Sequence, residues 1–263
     1  MSDTWVVLAV LFVLLASSAI GASLKRALKE NQKDRDTIDA VRLVISILVT
    51  FTALVLSLLT STVKASYDSF DSRMRAFSGD ITELDIRLRE YGEGAAPIRA
   101  KTRAYVAAVI ADTWSEELRP SGAYPTFSSA AGIERQELGA MLVAVDVAIR
   151  RLEPGDAYHS QLADLLEKRM TELLQRRRLL IETVHDTISW PLLTGMTSWL
   201  AIVFAVFGLI APRNAVVQTT IVLCALSFAS AIFLMLAFDK PLGGLIKVSS
   251  QPARETLRHL DAP

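Results

Sequence analysis

The chain has 263 residues, of which 51% are apolar, with 28 basic and 28 acidic residues and no net charge. A neutral balance gives nucleic acid no basic surface to bind, so that class of partner is excluded as an expectation. The apolar residues are gathered into four blocks, 5–24, 41–63, 192–212 and 215–238. Each holds about 20 residues with almost no charge, enough to cross a hydrocarbon core of roughly 30 Å as a helix.

The fold class expected is therefore all-α: four transmembrane helices, with an extramembrane helical bundle between the second and third spans. The corresponding domains are 1–65, 66–190 and 191–240, followed by a C-terminal tail, 241–263. The opening "MSDTW" lacks the basic region of a signal peptide. Trp5, Trp190 and Trp199 are placed at or near span ends, where aromatic belts form. The single cysteine, Cys224, lies in the fourth span and is expected to be packed; no intrachain disulfide is possible.

The second block, "VISILVTFTALVLSLLTSTVK", carries seven hydroxyls and ends on Lys64. A helix turns about 100° per residue. With Ser46 at zero, Thr50 falls at about 40°, Ala53 at −20°, Ser57 at 20°, Thr60 at −40°, Ser61 at 60° and Lys64 at zero. Asp39 and Asp68 join this face if the helix continues both ways. Ile45, Val49, Phe51, Val55, Leu58 and Leu59 lie away from it. Small and hydroxylated residues suit helix–helix seams in membranes, because they permit close approach. A polar stripe crossing the whole bilayer also suits a water-lined path, which one helix encloses only when symmetry repeats it around an axis.

Between the second and third spans, "FSGDITELDIRLREYG" opens like a new helix with Ser78 and Asp80 as caps. Glu83, Asp85 and Glu90 read as its surface. Pro97 starts another helix, predicted to run to about Leu118. A loop follows, then helices over about 129–152 and from about Ala157, the last predicted to continue to Trp190–Pro191. Asp146 and Arg150 have the spacing of an ion pair one turn apart. Arg176–Arg178 reads as a solvated or interfacial face, with anionic lipid as the alternative. His159, His185 and His259 are scattered, without metal spacing, and no nucleophile or phosphate-loop motif is present. No enzyme, cofactor or metal site is expected.

The segment "ASYDSFDSRMRAF", 65–77, resembles the region after the pore helix of the bestrophin ion channels, with Tyr67, Asp68, Phe70, Asp71 and Arg73 at the matching places. The final span is similar as well, ending in an acid–x–Pro–x–Gly turn at Asp239, Pro241 and Gly243. "FSGDITELDIRLREYGEGAAPIR", together with this ending, resembles a bacterial bestrophin-like family of unassigned function. Two positions depart from the channel pattern: Ser69 replaces an arginine, and the later arginine comes one residue early. The resemblance implies a homo-oligomeric ring, usually a pentamer, with a neck made by three residues four apart, here Ala53, Ser57 and Ser61. Channel necks of that family are bulky and apolar, whereas these three are small, which implies a wider, wetter passage. An acidic calcium site after the last span is not expected, since only Glu255 and Asp261 follow Gly243.

Two functions are thus expected in alternative: an oligomeric ion channel with the second span lining the pore, or a non-conducting membrane scaffold or sensor whose helical domain binds a partner. In the channel reading Lys64 faces the pore mouth and tilts selectivity toward anions. Tyr67, Phe70 and Arg73 are structural, where the helix leaves the membrane. The partners implied are the lipid bilayer, inorganic ions and further copies of the chain, in a bacterial inner membrane. Orientation is read two ways. Lys25, Arg26, Lys29, Lys33, Arg35 and Arg42 in loop 25–42 favour that loop inside. The loop also holds four acids, and Lys64, Arg73, Arg75, Arg176, Arg177, Arg178, Lys240 and Lys247 flank the domain side, which with the resemblance favours a cytoplasmic domain.

Overall fold

The computed structural model describes residues 3–25, 35–127, 132–184, 190–212, 214–239, 241–244 and 246–262. These residues form an all-α fold with eight α-helices: α1 (Asp3–Leu24), α2 (Arg35–Tyr91), α3 (Ala96–Thr113), α4 (Gln136–Arg150), α5 (Ala157–Val184), α6 (Trp190–Ile210), α7 (Ala215–Asp239) and α8 (Gln251–Asp261). Four of them, α1, α2, α6 and α7, are long and apolar enough to cross a membrane. The predicted run to Trp190–Pro191, and the placements of His185, Arg26, Lys29, Lys33 and Lys240, fall on 185–189, 26–34 and 240, outside the described residues, as does the Trp190 side chain.

The chain divides into two units, the first comprising 1–66, 187–240 and 244–246. Its core is built from Val6, Val10 and Leu14 of α1, Leu59 and Val63 of α2, Met196, Leu200 and Phe204 of α6, and Ile232 and Met235 of α7. Glycine sets a close crossing. A Cβ on Gly21 would lie 1.8 Å from the Ala205 carbonyl oxygen, and one on Gly208 would lie 2.0 Å from that of Ser18. The α1 and α6 backbones therefore touch, as small residues allow between membrane helices. Trp199 lies in the middle of α6 rather than near its end, and its ring packs edge-on against Phe51 at 5.1 Å. Cys224 is exposed rather than packed.

The second unit takes 67–186, 241–243 and 247–263. Here α2 contributes Phe70, Met74, Phe77, Ile81, Leu84 and Leu88, at alternating spacings of four and three, so one face stays buried over five turns. That pattern explains the main departure from expectation. No helix starts at Ser78 or Asp80, because α2 runs unbroken through both and ends only at Gly92, whose φ of 89° a side chain would resist. The supposed tail holds α8, whose Ala253, Leu257 and Leu260 join the core while Thr256 meets Thr82 at 3.1 Å. The next helix stops at Thr113, short of Leu118, where the Trp114 indole instead donates to the Val248 carbonyl at 2.8 Å. The start of α4 is Gln136, seven residues beyond the expected boundary.

Charged groups in this unit are paired where burial demands it. Asp85, expected on the surface, is fully buried and accepts from Arg89 at 2.8 Å and Arg99 at 2.7 Å. An unpaired carboxylate there would be costly, and two guanidiniums offset its desolvation. Asp112 is held by Arg135, which also stacks over Phe127. Asp146 pairs with Arg150 at 3.0 Å. The three arginines of the basic run separate: Arg176 pairs with Asp80, Arg177 donates to the Ile133 carbonyl, and Arg178 pairs with Glu182.

Candidate functional site

Within the first unit α2 has three faces. Ile45, Thr52, Leu59 and Val63 are buried, and all fall between about −100° and −140° on the wheel defined by Ser46. Ser46, Thr50, Ala53, Ser57, Thr60, Ser61 and Lys64 are all exposed. Leu54, Ile47, Leu58 and Phe51 form a third, apolar face at about 80° to 140° that is also exposed. Among the described residues the polar stripe is thus left exposed, as is most of the apolar face beside it, where Phe51 meets Trp199 of α6. The buried hydroxyl, Thr52, lies off the stripe and satisfies itself by donating to the Leu48 carbonyl at 2.7 Å.

Ser46, Thr50 and Thr60 each donate to the carbonyl one turn back, at 2.9, 2.8 and 2.8 Å. A hydroxyl whose proton is so engaged still offers acceptor lone pairs outward. The stripe is therefore compatible with the helix's own hydrogen bonding and leaves oxygen acceptors on its surface. At its end the Lys64 ammonium lies 5.7 Å from the centre of the Phe238 ring, a cation–π contact with α7.

The remaining predicted residues are placed as follows. Asp68 is exposed, and Asp39 pairs with Arg42 at 3.1 Å. Phe70 is buried in the core of the second unit and Tyr67 packs half-buried against it. Arg73 is exposed with its Nε 3.4 Å from Ser69 Oγ. Arg73 lies within α2, which continues for eighteen residues beyond it. Asp239 closes α7, Pro241 is buried, and its carbonyl accepts from the Val248 amide at 2.9 Å. Gly243 lies in the following turn with open space around its Cα.

A family model described as a Bestrophin-like domain matches residues 10–253, which include every residue of the stripe and of the two flanking motifs. The chain belongs to the bestrophin-like family. No curated protein and no solved structure gives a match. With four apolar helices and this family, the bestrophin-like chain is a multi-pass membrane protein in contact with lipid. The angular stripe was readable in the bestrophin-like sequence. Which of the two remaining faces is buried was not, because that depends on where Leu200, Met235 and their neighbours sit.

Proposed function

We propose that this bestrophin-like protein is a subunit of an oligomeric ion channel in which α2 lines a central pore. The observation that carries the reading is the contrast on one helix: Ile45, Thr52, Leu59 and Val63 are buried, while the stripe from Ser46 to Ser61 is exposed and ends on an exposed Lys64 that touches Phe238. In a ring of copies the stripe would face the axis and the apolar face at Leu54 and Leu58 would meet a neighbouring copy or lipid. Ala53, Ser57 and Ser61 would form a neck too polar to gate by dewetting. The favoured assembly is a pentamer in a bacterial inner membrane, with the second unit cytoplasmic.

One Lys64 ammonium per copy at the mouth gives a slight preference for anions. Two such charges 10 Å apart in water interact by about 0.4 kcal/mol. No catalytic role or cofactor is part of this reading. The second reading, a non-conducting scaffold or sensor, draws on the hydroxyls that already satisfy themselves, since these also suit a dry seam between copies. Particle images in nanodiscs and planar-bilayer recordings separate the two. The channel reading predicts rotational symmetry about α2, ion currents, and a reversal potential that moves toward cations in Lys64→Glu. A monomer or dimer, or a symmetric ring that carries no current, would overturn it.

A further inference from the structure

The first unit holds a cavity of about 240 Å³ between α1, α6 and α7, lined by Leu15, Ser18, Gly208, Ala211, Val217 and Val222 among others. Its origin is local. Gly21 and Gly208 draw α1 and α6 into backbone contact, but Ser18, Ala19, Ala22 and Ala211 are too small to reach across to α7. A void among apolar side chains forfeits dispersion contacts, and a mainly apolar lining offers water few partners.

Depth and charge identify what fits. Leu15 and Lys25 are ten residues apart on α1 and its end, about 15 Å along a helix. That is half of a hydrocarbon core of roughly 30 Å, the depth of one leaflet. At the end of α6 the Lys25 ammonium donates to the Ala211 carbonyl at 2.8 Å and the Ile210 carbonyl at 3.3 Å. An ammonium has three donors, and two are engaged among the described residues, which leaves a third for an anion. Ala211 also lines the cavity, so the cation is bonded to a residue of its wall.

We propose that this cavity holds one acyl chain of an anionic phospholipid whose phosphate is held by Lys25. The site is independent of whether the protein conducts. The test uses the full-length protein, equilibrated with vesicles of equal phosphatidylglycerol and phosphatidylcholine, then purified in mild detergent and examined by native mass spectrometry. The wild type should retain one phospholipid per chain, with phosphatidylglycerol preferred about fivefold, the weight of one basic side chain near an anionic headgroup. Ala19→Phe and Val222→Phe, which fill the cavity from opposite walls, should lose that lipid while keeping the oligomer. Lys25→Gln should keep one lipid and lose the preference. Wild type without retained lipid, filled variants that retain it equally, or an unchanged preference in Lys25→Gln would each overturn the proposal. So would dissociation of the oligomer in both filled variants, since the cavity would then be a seam between copies.

Discussion

At the scale of single residues, burial decides which polar groups matter. Tyr105 is wholly buried in the second unit, and desolvation pushes its phenol up to about 12, although the nearby Arg177 guanidinium opposes the rise. The folded state therefore holds the proton more tightly than the unfolded chain, whose tyrosine titrates near 10. The sign follows: stability is complete below about pH 10 and falls as pH rises toward 12. Tyr105→Phe removes the titrating group and leaves the ring. Its unfolding temperature should match the wild type at neutral pH and exceed it at pH 11, by an amount corresponding to about 1–2 kcal/mol. Equal loss in both proteins at pH 11 would contradict this account. Asp85 shows why such residues escape sequence reading. Its position on the wheel beside Leu84 and Leu88 was visible, but its partner Arg99 belongs to another helix and His259 to α8, 3.7 Å away.

Helices are governed by repeating patterns and by the few residues that interrupt them. The four spans were legible because lipid permits only long uncharged runs. The length of α2 was not, since Ser78, Gly79 and Asp80 look like a helix start. They fail to make one because the run of buried residues from Phe70 to Leu88 keeps its register across them. The short helix α8 was hidden for the opposite reason. Its three core residues, Ala253, Leu257 and Leu260, make too brief a pattern to stand out from a polar tail. Glycine in α6 gives a sharper test. A methyl on Gly208 would collide with the Ser18 carbonyl, whereas one on Gly195 meets nothing within 4 Å. Gly208→Ala should lower the unfolding temperature in detergent, with a cost of about 1–3 kcal/mol for forcing a packed contact apart. Gly195→Ala should leave it within about 0.5 kcal/mol. Equal effects at the two sites would mean that the α1–α6 contact is looser than described.

The chain comprises a membrane unit with an exposed polar stripe on α2 and a helical unit with its own apolar core. The stripe was legible from rotation alone. Its exposure required the positions of the other helices, because the side bearing Thr52 and Leu59 is buried instead. Membership of the bestrophin-like family places this helix in a membrane protein. The central claim, that α2 lines a pore, adds that water reaches the stripe. The most direct measurement is current through planar bilayers before and after a charged, water-soluble thiol reagent, using single cysteines in a Cys224→Ser background. The account predicts that Ser57→Cys and Ser61→Cys lose most of their current on modification, while Ile45→Cys and Leu59→Cys, on the buried face, do not change. Equal sensitivity of the two sets, or currents untouched by modification at Ser57 and Ser61, would contradict it.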